Sequence, residues 1–355
     1  MIEATIDPRR GFKRARGVPA ELVINNILVL ALITMGAFFA THSSAFLTFS
    51  NIKVLLTNYA AIGVVAATMA LLVIAGHVDL SVGSNIAFSG MITALSMSSW
   101  NMPAVAGLAM GIGAGAMIGL VNGVLCSYFR FSPIIVTLGM LSVLRGATLL
   151  INPIEVSGLG DTFFTIGNGS VFGVPFLLLI VLLVFLISAA FLSTTVWGRY
   201  VFAIGINPQA AFLAALPVRR VLVGLYVATG AAAGLSGVLL VARLDGASPG
   251  SLGLQMELQS LTIILLGGVA FAGGRGRILG VFTAWVFLGV LDNGLTLLNV
   301  PPFVQLVASG LALVFAASLD ALGTFLGPRL EERRRITEQT THEGSITSVD
   351  RSAGL

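Results

Sequence analysis

The sequence predicts an all-α integral membrane protein: a polytopic helical bundle of about ten transmembrane helices, with both termini in the cytoplasm. Three observations carry that prediction. Of 355 residues, 56% are hydrophobic and only 10% charged, with a mean hydropathy of +0.99. A water-facing surface needs a charged fraction nearer about 25%. The apolar residues come in runs close to the roughly 20 residues that cross a bilayer. Lys and Arg gather at the two ends and in alternate short connections, as orientation in a membrane requires.

The elements follow in order. Residues 1–21 are polar and carry Arg9, Arg10, Lys13, Arg14 and Arg16, and they read as a basic cytoplasmic tail. The first apolar run, 22–40, is longer than a signal-peptide core and many runs follow it, so it reads as a retained span. Further runs lie at 52–74, 82–98, 103–127, 134–151, 174–192, 221–241, 258–272, 278–298 and 304–319. Counted from an inside start, Arg130, then Arg199, Arg219 and Arg220, then Arg275 and Arg277, and finally Arg329 and Arg333 to Arg335 fall on one side. The longest opposite loop, 152–173, holds Glu155 and Asp161 and no Lys or Arg. Lys53 and Arg243 are the exceptions. Residues 22–328 thus make up the transmembrane domain, and 329–355 read as a polar cytoplasmic tail without fixed structure.

The composition also excludes functions. A lone Cys126 allows no disulfide within the chain, and His42, His77 and His342 are too scattered to share a metal, so no metal site is expected. The pI of about 9.7 follows from membrane topology rather than from nucleic-acid binding. There is no HExxH and no pair of carboxylates at helical spacing in one span, so no catalytic residue is assigned and the chain is not read as an enzyme. The only lysines, Lys13 and Lys53, lie outside any GxxxxGK[ST] phosphate loop. If ATP drives this protein, another chain binds it. No cofactor is implied.

Glycine and polar residues mark the functional regions. Gly107, Gly111, Gly115, Gly119 and Gly123 recur every four residues, which aligns them on one helix face for close packing or for sliding. Gly230, Gly234 and Gly237 form a shorter stripe. Two apolar runs are broken by glycine-rich polar segments, AGHVDLSVGS (75–84) and LLGGVAFAGGRGR (265–277). Such breaks are tolerated at membrane depth only where protein or water satisfies the freed backbone, and they point to a transport pathway. Four ionisable groups, His77, Asp79, Arg145 and Asp292, lie in or near spans, where each charge costs about 2.5–3.5 kcal/mol at the centre. Asp79 is placed to cap the third helix, with a pathway role as the alternative. His77 is a hydrogen-bonded neighbour or a proton relay, and Arg145 is expected to snorkel. The pathway candidates are Asn58, Asp79, Ser81, Asn122, Asp292, Asn293 and Gln305. Segment 198–220 holds a short helix bounded by Pro208 and Pro217. It is either a docking element for a partner's groove or a plain connector lying on the membrane.

Three stretches carry a resemblance: AGHVDLSVGS (75–84), similar to a GGIDLSVGS pattern; NGVLCSYFRFSPIIVTLGMLSVLRG (122–146); and the series AIGINPQAAFLAALPVRR (203–220), ARLDGASPG (242–250), LLGGVAFAGGRGRILG (265–280) and LGVLDNGLTLLNV (288–300). In order and spacing they resemble the ten-span permease subunits of bacterial ABC sugar importers, the ribose-permease type. The resemblance implies a multi-pass protein of the bacterial cytoplasmic membrane that imports a small sugar or polyol. It implies three partners: cytoplasmic ABC ATPase subunits, a second permease subunit (identical or paralogous) and an extracytoplasmic sugar-binding protein. On that resemblance Gly205, Asn207, Ala210, Ala211, Ala214 and Arg219 form the ATPase-coupling loop, and Ala211→Glu is expected to abolish uptake without unfolding the chain. Glu155, Asp161 and Arg243 are candidates for contact with the binding protein. His77, Ala215 and Asp292 depart from the family pattern, which otherwise has Gly, Gly and Asn there. The alternative is a proton- or sodium-coupled secondary transporter using His77, Asp79 and Asp292 as an ion relay.

Overall fold

The computed structural model describes residues 20–315 and residue 318, with side chains from residue 28 onward. The tails expected at 1–21 and 329–355 lie outside the described residues, except Ala20 and Glu21, which already belong to the first helix. The chain runs α1 (Ala20–His42), α2 (Phe49–Ile74), α3 (Val82–Ser98), α4 (Ala104–Ser127) and α5 (Pro133–Ile151). A loop follows with β1 (Val156–Ser157), α6 (Asp161–Asn168), β2 (Ser170–Val171) and β3 (Val174–Pro175). Next come α7 (Phe176–Thr194), α8 (Val196–Ile206), α9 (Pro208–Leu213), α10 (Val218–Leu244), β4 (Gly246–Ala247), α11 (Met256–Leu266), α12 (Ile278–Leu297) and α13 (Pro302–Phe315).

Each of the ten apolar runs carries a helix, but the helices differ in reach. Among the described residues, α2, α4, α5, α7, α10 and α12 are long and apolar enough to cross a membrane. With 17 and 11 residues, α3 and α11 span only about 26 and 16 Å at 1.5 Å per residue, short of a hydrocarbon core of about 30 Å. The run at 258–272 is therefore not one span-length helix, as its hydropathy suggested. It stops at Leu266 because Gly267 and Gly268 turn the chain: Gly268 takes φ +79°, and a Cβ on Gly267 would lie 2.6 Å from the backbone nitrogen of Val281.

Lipid is as apolar as leucine, so these helices associate through close packing and hydrogen bonds rather than hydrophobic burial against water. The two glycine stripes face each other. A Cβ on Gly115 would lie 2.7 Å from the Cα of Gly234, and one on Gly230 2.8 Å from the Cα of Gly119. Backbones of α4 and α10 therefore touch, and no larger residue fits at these positions. A polar ladder on α3 locks the seam. Asn85 Nδ2 donates to the carbonyls of Gly115 (3.3 Å) and Gly230 (3.4 Å), Ser89 Oγ donates to Asn85 Oδ1 (2.9 Å), and Thr93 Oγ1 donates to the Ser89 carbonyl (2.9 Å). Ser236 Oγ ties α10 to the Ala61 carbonyl of α2 at 2.7 Å, and Trp285 Nε1 ties α12 to the Tyr59 carbonyl at 2.7 Å.

These contacts put α2 and α10 at the centre and other helices at the rim. Of the most apolar 18-residue stretch of each helix, 83% of α2 is buried within the protein, against 17% of α5. The exposed side of α5 remains apolar, with Ile135, Val143 and Leu150 outward, which suits lipid. Loop 152–173 is folded back on the end of α10. β1 pairs antiparallel with β4 (Val156 opposite Ala247), and Asn168 Nδ2 donates to the Arg243 carbonyl at 3.1 Å.

Candidate functional site

The two broken segments and segment 198–220 converge on one junction. α2 ends in a Schellman turn: Gly76 at φ +82° donates to the Val73 carbonyl, and His77 N–H to the Leu72 carbonyl. α11 ends the same way through Gly268 and Val269, which donate to Leu265 and Ile264. The released chains then meet, since Gly274 N–H donates to the Ile74 carbonyl at 2.7 Å. Gly205, in the last turn of α8, closes the junction. A Cβ there would run into the Ile74 carbonyl and the Gly274 nitrogen, and one on Gly273 would lie 2.8 Å from the Cα of Gly76 and 3.1 Å from the Gly205 carbonyl. Only glycine permits three backbones this close.

From Gly205 the chain enters a short rigid element. Asn207 Oδ1 accepts from the N–H groups of Gln209 (3.0 Å) and Ala210 (2.9 Å), capping α9. Pro208 occupies its first position. A Schellman turn ends α9 too, with Ala215 N–H on the Phe212 carbonyl and Leu216 N–H on the Ala211 carbonyl. Ala215 takes φ +59° there, a conformation that favours glycine. An alanine therefore keeps this turn at some cost. Ala211 alone of α9 is buried, within the main core. This corrects the expectation for Ala211→Glu, since a charge there would enter the core rather than only face a partner. Ala210 and Ala214 are exposed. So are Phe212 and Leu213, 61% and 85% accessible, two residues sequence reasoning missed although apolar side chains between two prolines were the available signal. Arg219 is exposed, with its guanidinium 5.4 Å from the centre of the Tyr128 ring.

The expected pathway residues do not share one place. Asp79, Ser81 and Asn122 form a buried cluster at the start of α3. Asp79 Oδ1 accepts from Ser81 N–H (2.9 Å) and Oγ–H (2.6 Å), while Asn122 Nδ2 donates to Ser81 Oγ (2.9 Å) and Asp79 Oδ2 (3.3 Å). Asp79 therefore closes a turn on Ser81, one residue ahead of α3, and the expected cap is not formed: Ser81 stands at the N-cap and no side chain caps the helix. Beside this cluster the Tyr226 hydroxyl lies 3.3 Å from His77 Nδ1 and donates to the Val78 carbonyl at 3.4 Å. Asn293 sits near the opposite end of α2, about 40 Å of helix away, where it exchanges amide hydrogen bonds with Asn51 at 2.8 and 2.9 Å. Asp292 beside it keeps a buried Oδ1 with no partner among the described residues. Gln305 donates to the Val300 carbonyl at 2.9 Å and so braces the turn between α12 and α13. Asn58 faces outward from α2.

Further placements depart from expectation. Arg145 does not snorkel: its Nη1 donates to the Leu252 carbonyl at 2.9 Å, because the non-helical segment before α11 leaves that carbonyl free. Glu257, missed because it directly precedes an apolar run, lies in the first turn of α11 against Gly83, with Oε2 buried and unpartnered among the described residues. Asn85, Ser89 and Thr93 were also missed, although their four-residue spacing was legible. Glu155 and Asp161 are exposed on loop 152–173, whereas Arg243 is half-buried with an Nη1 that has no partner among the described residues. Among the described residues no group of His, Cys, Asp and Glu is placed to hold a metal.

Comparison with known proteins matches residues 51–317 to a family described as branched-chain amino acid transport system / permease component. The chain is 36% identical over 308 residues to an L-arabinose ABC transporter permease of Azospirillum brasilense, covering 86% of this chain and 90% of that one. It is 32% identical over 325 residues to the ribose import permease of Escherichia coli strain K12, covering 90% and 99%. It is also 36% identical over 279 residues to the ribose import permease of Bacillus subtilis, covering 78% and 86%. No solved structure matches the chain.

Proposed function

The chain belongs to the branched-chain amino acid transport system / permease component family, and from that premise we propose that it is the membrane subunit of an ATP-driven, binding-protein-dependent importer of a small sugar or polyol in a bacterial cytoplasmic membrane. In this reading ten segments cross the membrane (α1, α2, α3, α4, α5, α7, α10, α11 with its non-helical approach, α12 and α13), and both termini are cytoplasmic. Two such permeases form the path and separate ATPase subunits supply the energy. An extracytoplasmic sugar-binding protein delivers the cargo to the face carrying Glu155, Asp161 and Arg243.

One observation carries the reading: Gly205, at the root of the α9 helix, is packed directly on both broken segments. An ATPase that grips the exposed face of α9 (Ala210, Phe212, Leu213, Ala214) and is held in register by Asn207 and Arg219 would move the two breaks together. That is a two-state element of the kind alternating access requires. Asp79, Ser81 and Asn122 brace the break that moves, and Asn58, Asp292, Asn293 and Gln305 offer replaceable hydrogen bonds nearer the delivery face. No chemistry is performed on the sugar.

The experiment is uptake of radiolabelled ribose, arabinose, fructose and allose into vesicles carrying this chain with its co-purifying subunits. ATP supply is compared with an imposed proton or sodium gradient, and vanadate serves as control. The proposal expects uptake that needs ATP and an ATPase subunit and survives collapse of the gradients. Gradient-driven uptake by this chain alone would overturn it and make His77, Asp79 and Asp292 an ion relay.

A further inference from the structure

The β2–β3 hairpin ends in an exposed phenylalanine that transport does not account for. Val171 pairs with Val174, so Phe172 and Gly173 form a two-residue turn, with φ +50° and +82°. Positive φ at both places is the type I′ pattern, which favours Asn-Gly. A bulky side chain at the first of them is strained. Phe172 nevertheless stands there, with its whole side chain exposed. The turn gives up local stability and gains an apolar tip.

Neighbouring elements fix the height of that tip. The hairpin leads directly into α7, whose 19 residues measure about 28 Å, close to a hydrocarbon thickness of about 30 Å. Phe176, the first residue of α7, therefore stands at the edge of the hydrocarbon. The turn also lies beside the start of α2, since a Cβ on Gly173 would be 3.8 Å from Phe49 Cζ. With 26 residues, α2 is about 39 Å long and reaches from the hydrocarbon into the headgroup layers. Phe49, its first residue, lies in the interface, and the tip of the hairpin lies beside it.

Charge and continuity identify what meets the tip. The acidic residues of the loop, Glu155 and Asp161, precede the hairpin, and residues 162–198 contain no Asp, Glu, Lys, Arg or His. Phe49, 72% exposed, and the outward Leu179 and Leu183 of α7 extend the apolar surface into the face that lipid covers. A protein partner is held in register by polar and charged groups, which the tip lacks. A lipid interface asks only for apolar surface.

We propose that the β2–β3 hairpin is an interfacial anchor, with Phe172 inserted among the headgroups and upper acyl chains of the leaflet that the orientation above places away from the ATPase. α6 holds the other end of the hairpin on α10, where a Cβ on Gly167 would run into the Ala242 carbonyl. The anchor thereby ties loop 152–173 and the end of α10 to a fixed depth.

The test uses the full-length chain in phosphatidylcholine vesicles, with a nitroxide on Val171→Cys beside an intact Phe172. Cys126 is buried, and the unaltered chain serves as the labelling control. Collision with oxygen, which concentrates in lipid, is compared with collision with a water-soluble nickel chelate. Leu183→Cys sets the lipid value and Glu155→Cys the aqueous one. The Val171→Cys label is expected to collide more with oxygen than with nickel. Adding Phe172→Asn, which suits the turn and keeps the hairpin folded, is expected to bring the label to the aqueous value. The balance of inserted to withdrawn hairpin should fall at least about tenfold, the worth of one buried phenylalanine side chain. Phe172→Leu is expected to keep the label near its original value. Three results would overturn the anchor: a Val171→Cys label as open to nickel as the Glu155→Cys label, a label shielded from both reagents by a protein partner or second copy, or no change with Phe172→Asn. Insertion needs no ATP, so ATP-driven uptake by the same preparation tests the transport reading separately.

Discussion

The seam between α4 and α10 and the junction at Gly205 are both built from glycine, yet they do opposite things. In the seam every glycine sits within a helix, opposite another helix, and the polar ladder of Asn85, Ser89 and Thr93 holds the three elements in register. At the junction Gly76, Gly273 and Gly274 lie outside helices at φ +82°, +85° and +74°, and only Gly205 belongs to one. The seam has no residue that absorbs a change of backbone angle, whereas the junction consists mainly of such residues. The contrast sets a contact that no backbone angle can relieve beside a junction whose glycines can absorb one, as the proposed motion requires.

Substitutions break or sharpen that contrast. The largest effect is expected for Gly205→Val, whose side chain would collide with the Ile74 carbonyl and the backbone of Gly274. Uptake per folded molecule should fall below detection, measured with vesicle uptake normalised to protein that survives detergent extraction. In the seam, Gly119→Ala drives a methyl into the Tyr226 carbonyl and should destabilise by about 1–3 kcal/mol. There the yield of folded protein and the melting temperature should drop while uptake per folded molecule stays near normal. Asn85→Ala leaves the Gly115 and Gly230 carbonyls without that donor and should cost about 1–2 kcal/mol, read by thermal melting. The smallest effect has the opposite sign. Ala215→Gly relieves a left-handed alanine and should stabilise by about 0.5–1 kcal/mol, seen as a slightly raised melting temperature.

Much of this was legible in the sequence. Glycines every fourth residue announce a close-packed face whatever they meet, and the broken runs at 75–84 and 265–277 announce turns within apolar surroundings. The proline-bounded alanines announce α9. What was not legible is what depends on three-dimensional partners. Spacing cannot say that one stripe meets the other, that Gly205 closes the junction, or that Ala211 faces inward while Ala210 and Ala214 face out. Hydropathy averages over a window, so it ran α11 on through Gly267 and hid Glu257 at its start. Polar residues within apolar runs looked alike in sequence. The fold divides them into a turn-closing cluster around Asp79, an amide pair at Asn51 and Asn293, and an outward-facing Asn58.

The central claim is that a push on α9 reaches both breaks through Gly205. It is tested most directly with Ala214→Glu, a charge placed at the exposed C-cap of α9, outside the core. ATP hydrolysis, ATP-driven uptake and melting temperature are measured on the same assembled complex. Coupling through α9 predicts an unchanged melting temperature with uptake lost by at least about tenfold, as expected when a charge is left unpaired in a docked interface. Uptake at the unaltered level by the Ala214→Glu complex would contradict the claim.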